Sequence, residues 1–133
     1  MIRAVADTHT VIWYLANDAR LSFVARQSME AIDRADDQIG LSSISFVEMV
    51  YLIEKGRIPA QRFTELATAL AAPYSLLVEL PVDLQVARAL ARVDVQQIPD
   101  MPDRIIAATA LHLNVPVISR DGKIRLSGLT TIW

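Results

Sequence analysis

Two short apolar runs in this chain each stop at a carboxylate. Ile2, Ala4, Val5 and Ala6 lead into Asp7; Val115, Val117 and Ile118 lead through Ser119 and Arg120 to Asp121. Runs this short, separated by longer stretches with helical periodicity, read as buried strands of a parallel sheet, because joining parallel strands takes a crossover rather than a hairpin. In open sheets of this kind ligands bind beyond the carboxyl ends of the strands. The acids therefore stand where a binding site is expected.

The rest of the pattern agrees. A helix over Thr8–Asn17, apolar nearly all round, follows the first strand, and a second follows Ser22 with Ala25, Met29 and Ile32 on one stripe. After a strand at Gln38–Leu41, a third helix carries Phe46, Met49, Val50 and Ile53 at i, i+3, i+4, i+7, ended by Gly56. Pro59 opens a fourth, with Phe63, Leu66, Ala67 and Leu70 as its buried face. Ser75–Leu80 reads as a strand, and Asp83 caps a helix bearing Val86, Leu90 and Val93. Pro102 opens a helix to about Leu113, whose run of alanines allows close packing on a sheet. Strands at Val115–Ser119 and Leu129–Trp133 finish the chain. Strands alternating with helices give an α/β domain, residues 1–133, with right-handed crossovers and helices on both faces of a parallel sheet.

Composition narrows the chemistry. Hydrophobic residues make up 53% of the 133, which excludes a disordered chain. No apolar stretch approaches the roughly 20 residues of a membrane span, and the start lacks the pattern of a secretory signal, so a cytoplasmic protein is expected. The absence of cysteine rules out disulfides and thiolate metal sites. Thirteen Lys and Arg against 15 Asp and Glu leave a net charge of -2. A polyanion would therefore be gripped locally, by a metal and a few arginines, and not by a global positive field.

Asp7, Glu48, Asp103 and Asp121 are the candidate site residues. Each has an ordinary explanation: Asp7 as a helix cap, Asp121-Gly122 as a turn pair, Ser45-x-x-Glu48 as a capping box, Asp103 as a dipole-complementing acid in a first turn, and Asp100 as that helix's cap. A parallel sheet nevertheless brings the ends of the first and fourth strands and the starts of two helices to one rim. Carboxylates about 5 Å apart repel by roughly 3 kcal/mol per pair at an effective dielectric near 20, so the cluster calls for a cation. Oxygen donors without Cys point to Mg²⁺ or Mn²⁺. Thr8 and Ser119 flank the acids as second-layer hydroxyls. Arg104 and Arg120 adjoin two of the acids, where a phosphate would need a positive charge. His9 reads as packed or exposed rather than a ligand, Trp13 and Tyr14 as core, Lys123 and Arg125 as solvated. Phosphate-binding loops, dinucleotide fingerprints, nucleophile elbows and zinc-spaced His pairs are all missing.

With those residues in hand, the chain resembles the PIN-domain ribonucleases, and among them the VapC-type toxins of toxin–antitoxin pairs. Asp7-Thr8-His9-Thr10-Val11-Ile12-Trp13 is similar to the family's opening D-T-H-x-x-[LI]-W. Leu41 to Glu48 is similar to its S-x-x-S-x-x-E segment, with Val47 where a Trp often precedes the Glu. Asp100 to Ala110 is similar to D-P-x-D-R-x-[IL]-x-A-x-A with the Pro displaced by one, and Val117 to Asp121 to [LV]-[IL]-[TS]-x-D. The resemblance runs the whole length of the chain and implies a PIN-like three-layer α/β/α sandwich with a central parallel sheet. It implies an endoribonuclease dependent on Mg²⁺ or Mn²⁺, with Asp7 and Asp103 as principal metal ligands and Glu48 and Asp121 joining directly or through water. It further implies an RNA substrate, a cognate VapB-like antitoxin and a homodimer.

Two rivals carry less of the pattern. A haloacid-dehalogenase-like phosphatase wants D-x-D after its first strand, where His9 stands here, and a receiver domain wants an acidic pair that Ile2 to Thr10 lacks. A catalytically inactive interaction module binding through Trp13 and Tyr14 is weakened by the presence of all four acids.

Overall fold

The computed structural model describes residues 1–133. Its elements in chain order are β1 (Ile2–Ala6), α1 (Thr8–Leu15), α2 (Phe23–Arg34), β2 (Gln38–Ser42), α3 (Ile44–Glu54), α4 (Gln61–Ala71), β3 (Leu77–Leu80), α5 (Leu84–Leu90), α6 (Met101–Leu113), β4 (Val117–Ile118), α7 (Gly122–Leu126) and β5 (Thr131–Ile132). All pairings are parallel, in the order β3-β2-β1-β4-β5. The chain winds outward from β1 on one side through β2 and β3, then returns to the other side for β4 and β5. The reversal falls between β1 and β4, where Ala6 sits opposite Ile118.

Strand alternation divides the core in two. Ala4, Ala6, Ile39, Leu41 and Ile118 pack on one face with Val11, Ile12 and Trp13 of α1, Ala25 and Met29 of α2, Met49 of α3 and Leu66 of α4. Val5 and Val117 point to the other face, among Val86 and Ala89 of α5, Ile105–Ala108 and Ala110 of α6, and Ile124 of α7. This is the expected three-layer α/β/α sandwich. The small side chains of α6 let its backbone approach the sheet, and most of that helix is buried. No helix is long and apolar enough to cross a membrane.

The structure departs from the sequence pattern in four places. In α3 the buried residues are Ser45, Met49 and Leu52, while Val50 is 42% exposed. Ser45 turns inward to meet Thr8, which rotates the helix and leaves Val47, Val50 and Tyr51 outside. Along α4 only Leu66 is fully covered; Phe63 and Ala67 lie at the surface. The ladder of β4 is just Val117–Ile118. A short helix, α7, follows Asp121, where the sequence suggested only a turn. The apolar character of α1 is mostly absorbed within the chain, since Val11, Ile12 and Trp13 are buried.

Ile106 is wholly buried between α6 and the sheet. Ile106→Ala should destabilise by about 2–5 kcal/mol, the usual cost of emptying a fully packed site. Urea titration measures it; a loss well below 1 kcal/mol would mean that the α6 layer packs loosely.

Candidate metal centre

Asp7 is the first residue beyond β1 and caps α1: the Thr10 N–H donates to Oδ1 at 2.9 Å. Its other oxygen accepts the Ser119 hydroxyl. Ser119, fully buried at the end of β4, also accepts the Asp121 N–H at 2.9 Å. One strand-end serine thus orients two of the acids. Asp121 caps α7, taking the N–H groups of Lys123 and Ile124 on Oδ1 at 2.9 and 3.0 Å. Asp100 caps α6 through the Asp103 N–H at 3.1 Å.

Glu48 is held differently. Thr8 donates its hydroxyl to Glu48 Oε1, and Ser45 Oγ lies 2.8 Å from Thr8 Oγ1. A hydroxyl has one proton, so with Thr8 committed to the carboxylate, Ser45 donates to Thr8. The Ser45–Glu48 pair is therefore not a capping box. Ser43 occupies the cap position of α3 without a side-chain cap bond, and its hydroxyl instead accepts the Val82 N–H at 3.1 Å.

These side chains surround one cavity of about 350 Å³, lined by Asp7, Thr8, His9, Trp13, Glu48, Asp100, Asp103, Arg120 and Asp121. All four predicted acids are in it, joined by Asp100, which the sequence presented only as a cap. Burial pushes the Asp103 carboxyl up to about 7, and the neighbouring carboxylates Asp100, Asp121, Glu48 and Asp7 add to the shift. Burial also raises Glu48, opposed by the Thr8 hydrogen bond and the charge of His9. The two acids that do not cap a helix are thus the two whose charge is least stabilised by the protein.

The donor set suits a hard divalent cation: oxygens alone, with uncompensated negative charge facing a polar cavity. No three of the acids form a ready protein-only cage, so the cluster is looser than the sequence suggests. Capping and serine bonds hold Asp7, Asp100 and Asp121 to their own helix starts. Mg²⁺ is compatible with that spacing because it keeps several waters and takes one or two carboxylates directly.

Arg120 lines the cavity with its guanidinium carbon 4.8 Å from the centre of the Trp13 ring. Arg104 does not join it. Its Nε and Nη2 donate to the carbonyls of Val93 and Leu90, each at 3.0 Å, and strap the end of α5 to α6. Consecutive residues on a helix point about 100° apart, so Asp103 and Arg104 cannot face the same space. The phosphate-holding role read for Arg104 is corrected on that ground. His9, exposed and on the cavity wall, and Ser45, beneath Thr8, also belong to the surroundings of the site. Their signal in the sequence was a two-residue spacing from Asp7 for His9 and a three-residue spacing from Glu48 for Ser45.

The profile of the PIN domain matches residues 4–126. The chain belongs to the PIN domain family. A curated relative, Ribonuclease VapC22 of Mycobacterium tuberculosis (strain ATCC 25618 / H37Rv), is 26% identical over 129 residues, 94% of this chain and 92% of the relative. Among solved structures, VapBC2 from Rickettsia felis bound to a promoter DNA fragment superimposes with a TM-score of 0.71 at 17% identity, over 98% of this chain and 97% of that one. DNA-bound VapBC from Salmonella typhimurium gives 0.71 at 20% identity with the same coverage. FitAcB from Neisseria gonorrhoeae gives 0.63 at 20%, over 96% and 95%. At these identities the likeness establishes a shared fold.

Two outcomes follow for this PIN domain. The folded-state pKa of Asp103, about 7, exceeds the ordinary aspartate value of 3.8. Its contribution to stability is therefore fully present below that lower value and gone once pH has risen through the higher one. In EDTA the melting temperature should fall between about pH 4 and pH 7 by on the order of 5 °C after allowance for solvent screening. Asp103→Asn should flatten that fall and melt higher than wild type at pH 7.5; calorimetry of the pair decides, and a clearly lower value would make Asp103 a helix-start residue first. Arg104→Ala should instead cost about 1.5–3 kcal/mol through its lost charged hydrogen bonds, read as a lower urea midpoint at unchanged slope.

Proposed function

We propose that this PIN domain is an endoribonuclease dependent on Mg²⁺ or Mn²⁺ and the toxin of a VapBC-type pair. The observation that carries the reading is the acidic cavity at the β1–β4 strand ends, in a chain similar along nearly its whole length to a curated ribonuclease. Asp7 and Asp103 would hold the cation, with Glu48 and Asp121 reaching it directly or through water. Such a cation supplies Lewis acidity, lowering the pKa of a bound water and screening charge on a phosphodiester.

The chain's own groups divide the remaining work. Glu48, half-buried and fixed by Thr8, orients a water and accepts its proton as the water oxygen bonds to phosphorus and the ester P–O bond breaks. Arg120 places a positive charge beside the incoming phosphate. Ser119 and Thr8 keep Asp7 and Glu48 in single orientations, so little rearrangement is needed when substrate arrives.

The partner follows from the same cavity. Solved VapBC structures share the fold, and a VapB-like antitoxin would silence this site by sending an arginine among the acids, where bidentate pairing is available. The exposed apolar side chains Val50 of α3 and Phe23 and Val24 of α2, outside the cavities, supply surface for an antitoxin segment or a second subunit.

The purified protein should cut RNA with Mg²⁺ or Mn²⁺ and not with EDTA. Asp7→Ala and Asp103→Ala should each lose at least about a hundredfold in rate, in keeping with the loss of groups acting on the transition state, while retaining a folded circular-dichroism spectrum. Unimpaired cleavage by either variant, free of contaminating nuclease, would sink the assignment.

A further inference from the structure

A second cavity, of about 530 Å³, adjoins the acidic one and shares His9, Trp13, Glu48 and Asp100 with it. Its walls are otherwise of a different kind. Ile12, Ile44, Val47, Leu52 and Ile58 make it apolar, Tyr51 stands 59% exposed in it, and Arg20, Lys55 and Arg57 bring three positive charges to it. Arg20 is tied to Asp18 at 2.7 Å, but neither Lys55 nor Arg57 makes an ion pair. Lys55 and Arg57 are thus two unpaired cations beside an exposed aromatic ring, in a cleft whose acids, Glu48 and Asp100, are the ones it shares with the first cavity. Gly56, at φ +70°, ends α3 between them and turns the chain so that both line the same hollow.

We infer that this cleft holds single-stranded RNA flanking the cut phosphate, with a base stacked on Tyr51 and backbone phosphates held by Lys55 and Arg57. The inference rests on the nuclease reading above and extends it to the substrate's path. Sequence-tolerant single-strand sites combine a positive groove with aromatic side chains on which bases stack, and the volume falls in the range of about 300–1,000 Å³ typical of ligand pockets. The shared wall explains how one strand would reach both cavities: it would pass from the cationic cleft over Trp13, whose ring lies 5.2 Å from the Arg20 guanidinium carbon and 4.8 Å from that of Arg120, to the acids. Arg20 and Arg120 would offset the repulsion between the strand's phosphates and the carboxylates along that path. Charge favours RNA here over a peptide: a purely apolar segment would leave Lys55 and Arg57 without a partner.

The test is anisotropy of a labelled hexaribonucleotide in EDTA, across a series of salt concentrations. Each phosphate contact on a single strand contributes a slope of about 0.7 in log affinity against log salt, so the double variant Lys55→Ala, Arg57→Ala should bind with a slope shallower by about 1.4. Tyr51→Ala should weaken binding on the order of tenfold with the slope unchanged, as loss of one stacked base would. All three side chains are exposed, so folding is not at risk. If wild type fails to bind, or if both variants bind as wild type does, the inference is overturned, even where wild type still cleaves RNA with Mg²⁺. If the slope and affinity change as expected but no cleavage follows on adding Mg²⁺, the cleft stands as an RNA site and the nuclease reading falls.

Discussion

The parallel pairing of β1 with β4 is the constraint on which the site depends. Asp7 donates its N–H to Ile118 at 3.1 Å, one residue before Ser119 reaches back to the Asp7 carboxylate. The two strands are distant in the chain and adjacent in the sheet, so their ends meet only if the intervening helices complete their crossovers correctly. Once they do, the acid ending one strand and the serine ending the other are in contact, and Asp121 is drawn in through the same serine. A one-residue slip in this pair would turn Val5 and Ala6 to the wrong layers. Core and site are thus specified by a single register.

The acids also illustrate how structural and chemical roles share a residue. Asp7, Asp100 and Asp121 satisfy N–H groups that helix starts leave unpaired, and each still borders the cavity. That double use keeps most of the negative charge near the positive ends of helices, where it costs least. Glu48 and Asp103 cap no helix start: Glu48 has only the Thr8 hydroxyl, and Asp103, although in the first turn of α6, is buried among the other carboxylates. Asp103 carries the burden most plainly, with its carboxyl pushed up to about 7, and this is the local loss of stability that a functional site commonly carries.

Much of this was legible in the residues. The five strands, the caps Ser22, Asp83 and Asp100, and the stop at Gly56 follow from short-range rules and recur in the structure. The buried faces of α3 and α4 were read less well, because apolar periodicity reports which sides can be buried, not which neighbour arrives to bury them. Around α3 the sequence offers apolar residues on several sides, and the contact of Ser45 with Thr8 selects among them. Arg104 was misplaced for a related reason: nearness in sequence to Asp103 says nothing about direction, and on a helix successive side chains diverge. The short α7 left too few residues to show a period.

What the sequence determined by itself is the α/β class, the parallel sheet and the identity of the acids, since strand and helix periods and capping preferences act over a few residues. The tertiary structure alone decided that Asp100 joins the acids, that Arg120 faces them while Arg104 binds carbonyls, and that an apolar, cationic cleft opens beside them. Each of these depends on where elements far apart in the chain come to lie. Orientation about a helix axis and the meeting of separate loops are set by packing of the whole core, which no local pattern of residues encodes.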